Sequence, residues 1–334
     1  MLFLGYKNDS FTDGLGAQFQ RIFSIYALAR FLNCHYYHTG LSKIDYHGLI
    51  ALENDTKITN LVEDANQLLN LTGVGFDKQF VPEQAFFVEN PTLEQVIQLK
   101  STSLYDRKKT LLLCHTPYSI MDRFPSIYRY AKSLLNYEIA ITFSRGNRSH
   151  DFTSELMLPK PGIYRVAVHV RRGEIMANAP SRLLSDEYYL NVIHRVRTTL
   201  QELSIPYELE IHSELPTRPF SVNLKDLGKT DDETFDFDQN YLRHFERLEQ
   251  CQLIVNQHPL SAFLNLATAD ILIGSRSSFS YTAGIAGRNL SNIMPRFWHG
   301  LLPDWIDTDS NTGEFDKNRL VQSLESKQSM PVES

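Results

Sequence analysis

The chain has 334 residues, 42% of them hydrophobic, 11% aromatic and 22% charged, the balance of a folded soluble protein with room for two domains. Its 33 basic and 39 acidic residues leave a net charge of −6. That excludes the dense basic face of a nucleic-acid binder, so any anionic ligand has to be held by a local cluster of cations. In chain order, the opening MLFLGYKNDS carries too few apolar residues before Lys7 for a signal-peptide core or a membrane span. Leu2 to Tyr6 reads as a short buried strand followed by a turn rich in Asp and Gly. From Gln18 to Asn33, Phe19, Ile22, Phe23, Tyr26, Ala29 and Leu32 recur at helical spacing, and His35 to His38 reads as a second strand. Further helices are predicted near 61–70, 92–100 and 122–136, with a strand at Leu111 to His115.

The polar stretch 144–162, closed by Pro159 and Pro161, marks a domain boundary, which predicts domains at 1–155 and 156–334. The second half restarts with a strand at Tyr164 to Val170, a helix over 186–203 and a strand at Tyr207 to His212. A loop rich in Asp and Thr runs to about Asp238. A helix near 240–249, a strand at Leu253 to Val255, a helix from Leu260, a strand at Ile271 to Gly274 and a helix from Phe279 complete the alternation. The pattern predicts an α/β protein of two Rossmann-like domains facing across a cleft. Cys34, Cys114 and Cys251 are odd in number and form no CxxC pair, which argues against a zinc site or a disulfide framework and fits a reducing compartment. The chain therefore reads as soluble and cytoplasmic, with no integral membrane segment.

Three segments could carry chemistry. His169-Val-Arg171-Arg172-Gly-Glu174 closes the strong strand, where ligands of open α/β sheets collect. Two permanently charged guanidinium groups suit a pyrophosphate, and the same charge would stabilise a departing diphosphate; His169 would bond a ribose or base. The alternative is that Arg171 and Arg172 alternate faces and make salt bridges. Gly274-Ser275-Arg276-Ser277-Ser278-Phe279-Ser280 leads from a strand into a helix and would present backbone N–H groups, hydroxyls and a cation to an anion. Helix capping explains one serine of the four. Asp13-Gly14-Leu-Gly16-Ala17-Gln18 is a ligand-facing Gly turn, but Phe19 stands where a dinucleotide fingerprint needs glycine, which argues against an oxidoreductase. Asp236-Phe-Asp238 matches D-x-D but sits in an acidic loop, and the histidines show no metal-ligand spacing. Tyr188, Tyr189, Tyr281 and Trp298 either stack on sugar faces or fill cores.

Taken together, these segments resemble the superfamily of α-1,2-, α-1,6- and protein O-fucosyltransferases, whose members carry a Gly-rich turn, an H-x-R-R-x-D-like strand end and a late S-x-S-S-F-S. A strand ending in Ser213-Glu214 is similar to a further family element. The resemblance implies a GT-B-like fold, with 1–155 the acceptor-side domain and 156–334 the nucleotide-sugar-binding domain, and inverting transfer, without a metal or cofactor, of a sugar from a nucleotide sugar. GDP-fucose is the donor of most relatives, with UDP-sugars such as UDP-xylose open, and the acceptor would be a glycan hydroxyl. By position, Arg171 would contact the β-phosphate, His169 the nucleoside, and Ser277 and Ser278 the diphosphate. Gly14, Gly16, Gln18, Arg172, Ser213, Glu214, Arg276 and Phe279 would complete the donor site. Asp13 is the first candidate base, followed by Glu174 and Glu214, and Asp236 or Asp238 would read guanine. Ala17 and Glu174 depart from the family's usual Asn and Asp. The alternative function is an inactive module on a transferase fold that holds a glycan or a partner.

Overall fold

The computed structural model describes residues 1–6, 13–44, 60–69, 82–88, 92–101, 109–114, 126–129, 132, 155–173, 175, 179–215, 220–222, 233–235, 242–298 and 300–328. Two compact units divide them, one drawn from Met1–Asp45 and Asn60–Ser149, the other chiefly from His150–Ser334. The fold is α/β in both.

In the first unit, β1 (Leu2–Tyr6) leads to α1 (Leu15–Phe31) and β2 (His35–Tyr37). After them come α2 (Leu61–Leu68), β3 (Gln84–Val88), α3 (Leu93–Ser101) and β4 (Thr110–Cys114). The four strands form one parallel sheet in the order β2-β1-β4-β3. Strand β1 is buried along its whole length, as its unbroken apolar run requires. Helix α1 is buried almost all round, including Gln18, Gln20, Arg21 and Ser24. Because β2 lies on one side of β1 and β4 on the other, the chain reverses direction across the sheet between β1 and β4. A crevice at the carboxyl ends of such a pair is where open α/β sheets take ligands, and the turn at Asp13-Gly14 follows β1.

The second unit contains β5 (Tyr164–Val170), α4 (Asp186–Glu202), β6 (Tyr207–Ser213), β7 (Phe220–Val222) and β8 (Glu233–Phe235). It continues with α5 (Arg243–Glu246), β9 (Cys251–Val255), α6 (Pro259–Thr268), β10 (Ile271–Ile273), α7 (Ser278–Ala286), β11 (Ser291–Pro295), β12 (Ile306–Thr308) and α8 (Lys317–Gln328). Six strands form a parallel sheet in the order β12-β11-β10-β5-β6-β9. From β5 the chain builds outward through β6 and β9, then returns to β10 and builds the other way. The switch point of this sheet lies between β5 and β10.

One face of this sheet is hydrocarbon. Val166, Val168, Val170, Leu209 and Ile211 pack with Tyr188, Tyr189, Val192, Val196 and Leu200 of α4 and with Leu320 and Leu324 of α8. Helix α4 has the spacing for this and starts cleanly: Ser185 accepts from the Tyr188 N–H, and Asp186 and Glu187 complement the positive end of the helix dipole. The other face carries Arg165, His169, Glu210 and His212, all buried.

The expected strand at 164–170 and helix over 186–203 are present, the helix ending at Glu202. The expected helix near 240–249 is the single turn α5. The expected polar loop after β6 contains an antiparallel pair, β7 with β8. Strands β3, β11 and β12 and helix α8 were not expected; the first two are held in parallel pairing by partners distant in sequence. Of the predicted helix 122–136, only 126–129 and 132 lie within the described residues. Among the described residues, no helix is long and apolar enough to cross a membrane.

Candidate active site

Parallel pairing sets His169 beside His212 and Val170 beside Ser213, so β5 and β6 end level with one another. The Ser213 hydroxyl donates to the Val170 carbonyl at 2.8 Å and clasps the two ends together. Beyond them the backbone alternation separates the two arginines. Arg171 continues the polar face and pairs with the Glu214 carboxylate, the two side chains being 16% and 27% exposed. Arg172 turns to the α4 side and is only 4% exposed. It pairs with Asp186, donates to the carbonyls of Arg171 (2.9 Å) and Leu184 (3.3 Å), and lies 5.5 Å from the centre of the Tyr189 ring. Gly173 follows with a φ of 65°, a conformation that disfavours other residues, and an added Cβ would sit 3.0 Å from Glu214 Oε1. The turn thus lets the carboxylate close over the strand end.

Across the switch point, the serine loop after β10 is built largely from its own hydroxyls. Ser277 caps α7, its Oγ accepting from the Phe279 N–H at 3.2 Å. Ser280 Oγ accepts from the Ser275 N–H at 3.2 Å, and Ser275 Oγ bonds His169 Nδ1 at 3.0 Å. Arg276 donates to the Ser181 carbonyl at 3.0 Å. Ser278 opens the helix and is partly exposed. Gly274 leaves room for the Met294 side chain of β11, whose Sδ a Cβ there would displace. Phe279 packs 5.4 Å from the His169 ring. Burial first, then the influence of Arg171 and His212, holds His169 well below its ordinary pKa, so its ring is neutral near pH 7.

Beneath the site runs a polar chain that sequence patterning did not single out. Arg165 grips Glu210 with two bonds of 2.6 and 3.1 Å, and both side chains are 2% exposed. Arg165 also reaches Thr268 Oγ1 at 3.2 Å and the Asn265 carbonyl at 3.4 Å on α6. His212 sits between Glu210 Oε2 at 3.1 Å and Gln257 Oε1 at 3.2 Å. Burial raises the pKa of the Glu210 carboxyl, but the bonds from His212 and Arg165 and the Arg165 charge outweigh it and hold the group below its usual range. The available signal was the alternation of Arg165 and His169 on β5, continued by Arg171, opposite Glu208, Glu210 and His212 on β6, continued by Glu214: two files on one sheet face, polar except at Ala167.

Asp13, Gly14, Gly16 and Gln18 lie in the first unit. Gly14 is the N-cap of α1 with an extended backbone (φ −62°), so it is not a left-handed turn residue. Gln18 is fully buried and donates to the Asp13 and Lys43 carbonyls at 2.7 and 2.8 Å. Asp13 pairs with Arg21, which also donates to the Tyr6 hydroxyl at 3.0 Å. Glu174, Asp236 and Asp238 fall outside the described residues. Among the described residues, no three His, Cys, Asp or Glu side chains gather as a metal site. The structure therefore gathers His169, Arg171, Ser213, Glu214 and the Ser275–Phe279 loop at one sheet edge, and turns Arg172 into the fold behind them.

No family model matches the sequence, and no curated protein matches it. Solved structures that it resembles include the fucosyltransferase NodZ from Bradyrhizobium (TM-score 0.38, 12% identity, 94% of this chain and 97% of that one). POFUT1 in complex with GDP is similar at TM-score 0.39 and 11% identity, over 85% of this chain and 94% of that one. The E. coli ADP-heptose LPS heptosyltransferase II is similar at TM-score 0.36 and 10% identity, over 97% of each chain.

Proposed function

We propose that this chain is a glycosyltransferase that takes a sugar from a nucleoside diphosphate donor, with GDP-fucose the first donor to test and UDP-xylose the second. The observation that carries the reading is the switch point of the second sheet. There Arg171, at the end of β5, stands across from the N-terminus of α7 and its serine loop. A guanidinium and a helix N-terminus at one crevice suit a diphosphate.

In the resting protein Glu214 occupies Arg171. A partly exposed ion pair of this kind is worth about 0–1 kcal/mol, whereas each charge-assisted bond to a phosphate oxygen is worth about 1.5–3 kcal/mol. A diphosphate brings more charge and more acceptor oxygens than one carboxylate, which favours its exchange for Glu214, and Arg171, Ser278 and the helix N-terminus form the grip. Arg172 holds the turn through Asp186. His169, neutral and anchored to Ser275, presents its ring edge to the nucleoside.

An inverting, metal-independent transfer proceeds in one displacement. The acceptor oxygen bonds to the anomeric carbon as the bond to the diphosphate breaks, and the electron pair leaves on the diphosphate beside Arg171. A carboxylate takes the acceptor's proton, with Asp13, Glu174 and Glu214 as the candidates.

The test is a thermal-shift panel with GDP, UDP, CDP and ADP, with and without EDTA, on the parent and Arg171→Ala. A nucleoside diphosphate is expected to raise the melting temperature of the parent, with EDTA making no difference, and to leave the variant unshifted. An equal shift in both proteins would remove Arg171 from the grip; sugar transfer by Arg171→Ala at the parent's rate would remove the mechanism.

A further inference from the structure

Trp298 is 62% exposed, whereas the other tryptophan, Trp305, is 1% exposed. Burying an indole is among the larger apolar gains open to a fold, yet Trp298 stays outward. On one side of Trp298, Arg296 Nε pairs with Asp307 Oδ2 of β12 at 2.7 Å. On the other, the Tyr281 hydroxyl of α7 donates to the Gly300 carbonyl at 3.2 Å. The Arg182 guanidinium lies 4.9 Å from the centre of the Phe297 ring and 5.1 Å from that of Trp298, and the two rings are 5.2 Å apart at 51°. Cation and rings fix one another in place.

The position is as telling as the exposure. Arg276 of the serine loop donates to the carbonyl of Ser181, the residue before Arg182. The Gly274 N–H bonds the Ile293 carbonyl, so the loops after β10 and β11 leave the sheet at the same edge. With neighbouring strands about 4.8 Å apart, the end of β11 stands roughly 10 Å across the sheet from the end of β5. Trp298 follows the end of β11 by three residues, on the side of the sheet that continues from the switch point through β10.

We propose that Trp298, with Phe297 and Arg182, is a carbohydrate-binding platform that takes one ring of a neutral glycan; its role as the acceptor subsite rests on the transferase reading above. The indole face meets the C–H face of a pyranose. The guanidinium, which only donates, serves hydroxyl oxygens at the ring's edge.

The test uses the full chain in the presence of GDP on a printed array of neutral glycans, followed by fluorescence titration of the glycans retained. The parent is expected to retain a set of glycans, and Trp298→Ala to bind them about tenfold more weakly with its melting temperature unchanged. Trp298 emission should shift to the blue and saturate with glycan. Trp298→Phe leaves only the buried Trp305 and should show no shift. The platform is overturned if the parent retains no glycan, if Trp298→Ala retains the same glycans equally well, or if Trp298 responds to GDP alone. The nucleotide thermal shift is read separately. A nucleotide shift with no effect of Trp298 on glycans removes the platform and spares the transferase reading. Glycan binding at Trp298 without any nucleotide shift removes the transferase reading and keeps the platform as a glycan-holding surface.

Discussion

On the α4 side of the second sheet, β5 and β6 present Val166, Val168, Val170, Leu209 and Ile211 to a continuous apolar core. On the opposite side the same two strands present Arg165, Glu210 and His212, joined by hydrogen bonds, and His169, bonded to Ser275, all equally buried. The hydrocarbon face is held by contact and can shift slightly without losing its character. The polar face is held by directional bonds, each of which leaves a costly orphan if broken. The difference shows where a fold can afford a ligand site: the file that begins as the sealed pair Arg165–Glu210 ends at the partly open pair Arg171–Glu214. One alternation of side chains supplies both a rigid base and an exchangeable mouth.

The largest effect should come from breaking the sealed end. Glu210→Ala strands the Arg165 charge in the interior and should destabilise the protein by about 3–5 kcal/mol in urea unfolding. That is at least as much as Ile211→Ala on the hydrocarbon face, where roughly 2–5 kcal/mol is expected. A Glu210→Ala loss below 1 kcal/mol would mean the polar file is incidental.

The two arginines sharpen the comparison next. Arg172→Ala should cost roughly 3 kcal/mol of stability by the same measurement, because it removes the donor to the carbonyls of Arg171 and Leu184 and leaves Asp186 with His244 alone. Arg171→Ala should change stability by less than about 1 kcal/mol while abolishing the nucleotide thermal shift. Equal losses of stability in the two variants would erase the distinction between a structural and a ligand-facing arginine.

A smaller effect should appear on acidification. His169 has a folded pKa well below the ordinary value, so the unfolded chain binds a proton first as pH falls below about 6.5. Stability from this group is full above that pH and declines below it, toward the depressed folded value. His169→Gln should flatten part of that slope between pH 6.5 and 5 in denaturant midpoints; an unchanged slope would show that the buried ring is not its source. His38, held at about 4 by burial, contributes a similar slope in the first unit and remains in the variant.

The smallest change is at the mouth. Glu214→Gln removes the anion that occupies Arg171 and should tighten nucleoside diphosphate binding a few-fold, about 1 kcal/mol, in titration calorimetry. Weaker binding in this variant would mean that Glu214 holds the ligand rather than yielding to it.

Much of the second unit was legible because its signals are local. The run Tyr164–Val170 sets a valine at every second position from Val166, and α4 repeats its apolar residues at helical spacing behind a serine cap. The strands that escaped reading have no such signal: β11 is Ser-Asn-Ile-Met-Pro and β12 has three residues. Pairing with neighbours already in the sheet, not their own propensity, makes them strands. Helix α8 has low mean hydropathy, and only Leu320 and Leu324, one turn apart, betray its buried face.

From the sequence alone came the alternation of strands and helices, the two-unit α/β plan, and the fact that cations and hydroxyls gather where strands end, because periodicity and turn chemistry act over a few residues. Tertiary structure alone decided which arginine faces outward, which serines are committed to capping and bracing, and which strand lies beside which. Those outcomes depend on partners far along the chain: Glu214 lies 43 residues from Arg171, and Ser275 lies 106 from His169. No local pattern encodes a distance of that kind; only the folded sheet brings such residues side by side.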